Sequence, residues 1–279
     1  MSDPLPPGLY IVATPIGNLG DITARGAETL RGAALILAED KRVSAKLLAH
    51  IGAKAQMIAY HDHSDDSTRA RIVAEAAAKP VALISDAGTP LISDPGYKLV
   101  RAVRDAGVAV HTLPGPCAAI AALTLAALPT DRFLFAGFLP AKAKARGETI
   151  AELAGLRASL VFYESGPRLG ESLAALAAGL GTRDAAVIRE ISKLHEETVT
   201  GTLAELAERY AVQPPRGEIV IVVGPPGEVA EASEEALDAA LRDALATLSP
   251  SRAAAEVAAL LGVPKKRAYA RALALADPR

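Results

Sequence analysis

Three loops that follow apolar runs combine glycine, proline and small polar residues, which let the backbone approach a ligand closely. They span residues 14–21, 85–96 and 114–118, and each leads into a segment of helical composition. Ligands of open α/β sheets bind beyond the carboxyl ends of the strands. The loops therefore indicate a ligand site, although tight turns alone would use the same residues. The first loop lacks GxGxxG spacing and does not indicate a dinucleotide.

Two later loops, residues 162–168 and 189–197, mix carboxylates with cations after apolar runs. Such a mixture can bind a polar ligand, and a surface of solvated salt bridges has the same composition. Both interpretations stay open at the level of the residues.

The elements that must position these loops alternate between short apolar runs and Ala-rich helical segments, which predicts an α/β fold. Strands are predicted at residues 9–13, 35–38, 56–60, 81–85 and 108–113, and then at 133–137, 160–163, 186–189 and 219–223. Helices are predicted at residues 24–31, 43–50, 68–78, 97–106 and 118–127, and then at 148–156, 169–180 and 203–210. These series define two α/β domains, residues 1–129 and 130–227, with the ligand cleft between them.

Residues 228–279 are predicted to form an acidic linker, reaching Glu235, and a basic tail. Helices at 253–261 and 265–275 flank a turn at Gly262, which resembles a helix-turn-helix. The segment from Ser249 to the last residue carries six basic and two acidic residues, whereas the whole chain has a formal charge of −2. A basic tail on an acidic body favours nucleic-acid contact, and packing or dimerisation is the alternative.

The composition excludes several classes of protein. The single Cys117 excludes an internal disulfide and leaves too few thiolates for a structural zinc site. His61 and His63 flank Asp62, a spacing more typical of a solvated loop, so no metal is predicted. The apolar run at residues 118–128 is shorter than the ~20 residues that cross a bilayer. Without a visible signal peptide, a cytoplasmic protein with no membrane contact is expected.

Taken together, the loops resemble the tetrapyrrole methylase superfamily, and within it the branch that 2′-O-methylates a cytidine of small-subunit ribosomal RNA. The resemblance rests on TPIGNLGDIT at residues 14–23, AED at 38–40, SDAGTPLISDPG at 85–96 and LPGP at 113–116. It continues with FYES at 162–165, KLHEE at 193–197 and GEIVIVV at 217–223. The chain departs from the family where it has Lys41 in place of Thr and Gly166-Pro167 in place of Pro-His, so no role of that histidine transfers.

The resemblance implies S-adenosylmethionine bound in the cleft between the two domains, no metal, and a homodimer. Positions that match the family's cofactor contacts are Gly88, Thr89, Pro90, Cys117, Ala118, Glu164, Glu190 and Ile219. Asp86 is added because it lies at a predicted strand end. The implied partner is small-subunit ribosomal RNA within the assembled small subunit.

For transfer to a ribose hydroxyl, Lys193 and Glu190 are the candidate catalytic residues, since both follow a strand and face the predicted cleft. Lys193 acts as a base only where burial or nearby cations lower its pKa; otherwise it stabilises an alkoxide or a phosphate. An ordinary surface lysine is the alternative. Candidate RNA-binding residues are Arg168, Arg189, Lys265, Lys266, Arg267 and Arg271.

Two rival functions remain at this level. A tetrapyrrole or other small-molecule methylase uses the same fold, but the basic tail and the few aromatic residues argue against it. A non-catalytic RNA-binding ribosome-assembly factor would not need intact SDAGTPLISDPG and LPGP loops.

Overall fold

The computed structural model describes residues 4–61, 64–212, 214–227 and 233–276. The strands are β1 (Gly8–Val12), β2 (Leu35–Ala38), β3 (Gln56–Ala59), β4 (Pro80–Ile84), β5 (Val110–Leu113), β6 (Phe133–Phe138), β7 (Ser159–Ser165), β8 (Asp184–Arg189), β9 (Glu197–Thr202) and β10 (Glu218–Val223). The helices are α1 (Ala24–Gly32), α2 (Lys41–Ile51), α3 (Asp66–Ala78), α4 (Tyr97–Asp105), α5 (Ala118–Leu125), α6 (Ala143–Leu153), α7 (Leu169–Leu180), α8 (Leu203–Val212), α9 (Glu234–Leu245), α10 (Pro250–Leu261) and α11 (Lys265–Ala276).

The first sheet has the strand order β3-β2-β4-β1-β5, with parallel neighbours throughout. Parallel strands are joined by crossover helices, which cover both faces of the sheet. Because both faces are buried, the strands are apolar along nearly their whole length. Successive residues alternate between the faces, so Tyr10 packs with Leu30 and Leu47 of α1 and α2. Leu9 packs on the other side with Ile72 and Leu99 of α3 and α4.

The second sheet has the order β6-β7-β10-β8-β9, parallel between β6 and β7 and antiparallel elsewhere. One face packs against α6, α7 and α8 around the buried Phe162. The opposite face packs against α5, whose Ala119, Ala122 and Leu123 contact Val161 and Val220 of the sheet. Because α5 directly follows the last strand of the first sheet, it joins the two sheets into one compact unit.

The tail helices α9, α10 and α11 enclose a separate small core that includes Leu237, Leu241, Val257 and Ala268. The turn between α10 and α11 begins at Gly262, which has φ +65° and ψ +19°, a left-handed conformation that glycine adopts without strain. Residues 225–279, together with 155–157, form this second compact unit.

Several sequence-based boundaries differ from the structure by a few residues, and three of the differences have a physical reason. Helix α9 begins at Glu234, within the stretch predicted as linker, because Ser233 accepts a hydrogen bond from the N–H of Ala236 and caps it. The predicted loop 189–197 runs into strand β9, a polar edge strand without the apolar run that marks buried strands. Helix α6 begins at residue 143 rather than 148, because the buried Arg146 donates to the carbonyls of Pro140 and Ala141 and contacts Glu171.

The predicted α/β class, with two sheets and a helical tail, is confirmed. Within the described part of the chain, none of the helices is both long and apolar enough to span a bilayer. Asp62 and His63, in the segment predicted to be a solvated loop, lie outside the described residues.

Candidate active site

The loops after β1 and β4 are joined at the carboxyl edge of the first sheet. The N–H of Thr14 donates to the carbonyl of Gly88 at 2.8 Å, and the N–H of Gly88 donates back at 3.1 Å. The Thr14 hydroxyl, which is buried, also donates to the carbonyl of Ser85 at 3.2 Å. These bonds hold the Gly-rich segment after β4 in one conformation next to the first loop.

The 85–96 loop is strained. Leu91 and Ser93 have φ values of +75° and +64°, and Gly88 and Gly96 have φ values of +80° and +137°. Left-handed backbone is unfavourable for residues with a side chain and is found where the surrounding structure imposes it, often at functional sites. The loop thus has the backbone character of a binding segment.

The opposite wall comes from β7, β10 and the start of α5. Thr89 donates its hydroxyl proton to the carbonyl of Pro116 at 2.9 Å, which ties the β4 loop to the segment before α5. The N–H of Ala119 in turn donates to the hydroxyl of Tyr163 at 3.2 Å, which ties α5 to β7. The walls from both sheets are therefore held together by hydrogen bonds.

These elements enclose a cavity of about 300 Å³, which we call the main cavity. That volume is at the lower end of the range for small-molecule sites. It is lined by Ile16, Ala87, Gly88, Thr89, Ile92, Ser93, Asp94, Cys117, Ala118, Phe138, Tyr163, Glu164, Ser165, Ile191, Gly217, Glu218, Ile219 and Val220.

The structure brings six of the nine predicted cofactor residues together in this cavity: Gly88, Thr89, Cys117, Ala118, Glu164 and Ile219. The other three, Asp86, Pro90 and Glu190, are absent from its lining. Pro90 is buried and supports the loop. Asp86 lines a second, adjoining cavity of about 220 Å³, which we call the side cavity.

Glu164 is a buried carboxylate, only 3% exposed, that lines the main cavity. It accepts from the N–H of Ser165 at 2.8 Å and from the hydroxyl of Ser172 at 2.5 Å, and the guanidinium of Arg168 lies 3.5 Å away. Arg168 also donates to the carbonyl of Leu139 at 2.5 Å. Both contacts use the same guanidinium nitrogen and the side chain is 31% exposed, so RNA contact by Arg168 stays a prediction.

Asp94 is a site residue that we did not single out from the sequence. Burial, reinforced by the negative charges of Glu39 and Asp86 and opposed by a hydrogen bond from Ser85, raises its pKa to about 6. A carboxylate with such a pKa is ionised at neutral pH yet far more basic than an exposed aspartate. Its position in SDPG, at the end of the Gly-rich motif, was the available signal.

Tyr163 is the second missed residue. Burial raises the pKa of its phenol to about 12, so the hydroxyl stays protonated. It packs edge-on against Phe135 and Phe138, with ring centroids 4.8 and 5.7 Å away. The pair Phe138 and Tyr163 gives the main cavity an aromatic side.

Lys193 forms ion pairs with Glu190 at 2.9 Å and Glu218 at 2.8 Å. Partial burial alone would lower its pKa, but the hydrogen bonds and charges of the two carboxylates outweigh burial and raise it. The pKa of Glu190 is lowered, chiefly by its hydrogen bond from Lys193. The condition under which Lys193 would act as a base is therefore not met, and it remains a cation.

The loop that carries this lysine crosses to the first domain. Ser192 contacts Asp21 through a hydrogen bond, and a Cβ at Gly17 would lie 2.4 Å from Cγ of Lys193. Glu190 and Ser192 both have positive φ, +52° and +68°. The strained turn holds Lys193 in the wall of the side cavity.

The remaining predicted RNA-binding residues differ in whether they are already paired with a carboxylate of the protein. Arg189 donates two hydrogen bonds to Glu197, at 3.0 and 3.1 Å. In the tail, Arg271 binds Asp238 through two nitrogens and Arg267 pairs with Glu234 at 3.2 Å. Lys265 and Lys266 are exposed, and neither forms an ion pair with any described residue.

The chain is similar to known proteins over nearly all of its length. A family model described as Tetrapyrrole (Corrin/Porphyrin) Methylases matches residues 8–207, and one described as RsmI C-terminal HTH domain matches residues 231–276. A protein of Erythrobacter litoralis named Ribosomal RNA small subunit methyltransferase I is 56% identical, over 98% of this chain and 97% of its own. A protein of the same name from Escherichia coli O157:H7 is 45% identical, over 95% and 94%.

Solved structures share the fold at low identity. Uroporphyrin-III C-methyltransferase from Thermus thermophilus, complexed with S-adenyl homocysteine, has a TM-score of 0.54 at 20% identity, over 77% of this chain and 96% of its own. Diphthine synthase has a TM-score of 0.61 at 15% identity, over 77% and 89%.

Proposed function

The chain belongs to the tetrapyrrole methylase family, and we propose that it transfers a methyl group from S-adenosylmethionine to the 2′-hydroxyl of a cytidine in small-subunit ribosomal RNA. The observation that carries the proposal is the 56% identity, over 98% of the chain, to a protein named as a small-subunit ribosomal RNA methyltransferase. The strained loop and the main cavity support the same conclusion, because a vestigial site would not retain a costly backbone conformation.

The main cavity fits the cofactor by the chemistry of its lining. Ile16, Ala118 and Ile219 provide apolar surface for the flat adenine ring, and Gly88 leaves space at the strained loop. Backbone groups of the lining are available to the hydroxyl and amino groups of the cofactor. We assign cofactor contact to Gly88, Thr89, Cys117, Ala118, Glu164 and Ile219.

When bound, S-adenosylmethionine supplies a methyl group attached to a positively charged sulfur. The protein must hold the ribose oxygen in line with that methyl at about 3–3.5 Å, and such alignment accounts for much of the catalysis. A ribose hydroxyl is a weak acid, so a nearby base assists its deprotonation near the transition state.

We assign the base role to Asp94, which lines the main cavity and has the raised pKa. Lys193 stays protonated and supplies positive charge at the neighbouring wall, where an alkoxide or a phosphate would be stabilised. Glu190 orients Lys193 through their ion pair and is a positioning residue.

We propose that the RNA is bound by two parts of the protein. Lys265 and Lys266 on α11 are exposed cations suited to phosphates. Arg189 retains partial exposure beside Glu197 and could exchange this partner for a phosphate. The substrate would be the assembled small subunit, which places the activity in the cytoplasm.

We also propose domain boundaries that divide each chain into residues 1–129, 130–227 and 228–279.

We further propose that the protein is a homodimer. Edge strand β6 exposes Phe133 and Phe138, and the adjacent α5 exposes Ile120 and Leu125. Exposed apolar groups of this size favour a protein partner. Light scattering should give twice the 28.7 kDa chain mass; a monomer mass would reject the dimer.

Incubation with radiolabelled cofactor and unmethylated small subunits tests the main proposal. We expect label on a single cytidine and resistance of the neighbouring phosphodiester to alkaline cleavage, since a methylated 2′-oxygen cannot attack it. Label on a base, or on a tetrapyrrole but no RNA, would reject the proposal. Absence of cofactor binding by calorimetry would instead favour a non-catalytic assembly factor.

A further inference from the structure

The side cavity opens beside the main cavity and shares Ile16, Ala87 and Glu218 with it. Its further lining includes Leu19, Val43, Ser44, Lys46, Asp86 and Lys193. Its volume of about 220 Å³ is below the range of pockets that enclose a whole drug-sized ligand. A group bound here would lie next to the main cavity, and the small volume suits one unit of a larger substrate.

Ser44 gives an independent sign of a ligand. The residue is 3% exposed, and its hydroxyl has no hydrogen-bond partner among the described residues. Buried polar groups are paired in the great majority of cases, and an unpaired one calls for a specific explanation. Ser44 also lines the side cavity, which brings this residue with an unpaired hydroxyl to the cavity wall.

The walls of the side cavity suit a flat ring with a polar edge. Leu19 and Val43 are 41% and 43% exposed although both are large apolar side chains, and Ile16 and Leu47 add further apolar surface. A nucleobase would cover these side chains with its faces and leave its edge to polar partners.

Asp86 supplies an acceptor for that edge. One of its carboxylate oxygens accepts the N–H of Asp40 at 2.9 Å, which fixes the side chain at the cavity wall. A carboxylate has further lone pairs for a ligand donor. Lys46 and Lys193, also in the wall, provide positive charge for the phosphates that flank a nucleoside.

We propose that the side cavity receives the target nucleotide of the RNA, and that Asp86 recognises the base by accepting a hydrogen bond from its exocyclic amine. The inference rests on the proposed function and adds the residues that select the nucleotide. Carboxylates pair with the amine of cytosine, whereas uracil presents a carbonyl oxygen at the same position. Asp86 therefore acts as a specificity residue, and Ser44 and Lys46 bind the same nucleotide.

The decisive experiment changes both the target base of the RNA and the residue proposed to accept its hydrogen bond. Wild-type protein and Asp86→Asn are assayed on small subunits reconstituted with transcribed RNA that carries C or U at the mapped position. The asparagine oxygen can still accept the N–H of Asp40, and its amide nitrogen then favours the uracil carbonyl. We expect a wild-type preference for C, and in Asp86→Asn a C-to-U ratio of kcat/KM lowered on the order of tenfold or more.

Matched variants test the other two residues. Ser44→Ala should raise the KM for RNA several-fold without lowering protein stability, because it removes an unpaired buried hydroxyl. Lys46→Gln should weaken RNA binding and flatten its salt dependence by about 0.7–0.9, whereas Lys54→Gln, at an exposed lysine outside both cavities, should not.

Calorimetry measures the affinity for S-adenosylmethionine, which distinguishes a change in RNA recognition from damage to the cofactor site. Unchanged cofactor affinity with altered C-to-U preference supports the inference. Loss of cofactor affinity in Asp86→Asn would overturn it and return Asp86 to the cofactor site. An unchanged preference, with normal labelling of cytidine by the wild type, would overturn this inference alone. A wild type that labels no RNA overturns the proposed function as well.

Discussion

Gly88 has a backbone conformation that favours glycine, and it also lines the main cavity. Its φ is +80°, and an added Cβ would lie 3.3 Å from Cγ2 of Ile16 and 3.6 Å from the carbonyl oxygen of Pro116. Both neighbours belong to segments that form or adjoin the main cavity. A side chain at this position would therefore strain the loop and narrow the cavity.

We predict that Gly88→Val lowers the affinity for S-adenosylmethionine at least about tenfold and costs roughly 1–3 kcal/mol of stability through backbone strain. Calorimetry and thermal unfolding measure the two effects. The matched control is Gly107→Val, since Gly107 has φ +71° and no atom within 4 Å of an added Cβ. It should share the strain and keep the affinity. Equal cofactor affinity in both variants would contradict the assignment of this loop.

Asp94 gives the reaction a predicted pH dependence. Its pKa of about 6 means that the carboxyl is protonated, and unable to accept a proton, below that pH. We expect kcat/KM to fall as the pH decreases through about 6 and to level off above it. Asp94→Asn should lose the dependence together with at least about 100-fold in kcat, while Asp105→Asn, on the exposed side of α4, should behave as the wild type. A retained pH profile in Asp94→Asn would reject the base role.

At the scale of elements, α11 carries one cation that is paired inside the tail and two that are exposed to solvent. The pKa of Arg271 is raised by its hydrogen bonds to Asp238, and that of Asp238 is lowered by the same contact. The pair links α9 to α11 inside the tail. Lys265 and Lys266 lie in the first turn of α11 and are exposed. The same helix thus uses an arginine for folding and offers its lysines to a partner.

We predict that replacing Lys265 and Lys266 together by Ala flattens the slope of log RNA affinity against log salt by about 1.4–1.8, because each phosphate contact contributes roughly 0.7–0.9. Cofactor affinity should stay unchanged. Arg271→Ala should instead destabilise the tail, since it leaves the carboxylate of Asp238 without its main partner. Weaker RNA binding with an unaltered salt slope in the lysine variant would identify α11 as a packing element.

At the scale of the whole molecule, the tail helices form their own compact unit with their own buried core. The proposed cofactor residues all precede residue 225, and the main cavity is complete without the tail. Cofactor binding and RNA binding should therefore be separable by truncation.

We predict that a protein ending at Gly227 binds S-adenosylmethionine with unchanged affinity, and that its KM for small subunits rises at least about tenfold through lost phosphate contacts. Calorimetry and a filter-binding methylation assay measure the two quantities. Wild-type turnover by the truncated protein would show that the tail does not bind the substrate.

The sequence by itself determined the family and the α/β class, and it predicted six cofactor residues that the structure gathers in one cavity. It could do so because apolar runs and Gly-Pro loops are local signals, and because parallel strands bring their carboxyl ends to one edge. Strand β9 was missed, since a polar edge strand lacks the apolar pattern that marks buried strands. Helix α9 was missed although Leu237, Leu241 and Ala244 have helical spacing, because the acidic residues that precede and begin it were interpreted as a linker.

Only the tertiary structure decided the chemistry of individual groups. The pKa of Asp94 depends on burial and on Glu39 and Asp86, of which Glu39 is distant in the chain. The protonated state of Lys193 depends on Glu218, which β10 places beside it. The unpaired hydroxyl of Ser44 is visible only once the surrounding atoms are placed. Electrostatic and hydrogen-bond energies depend on distances between residues far apart in the chain, and those distances are set by the order of the strands within each sheet.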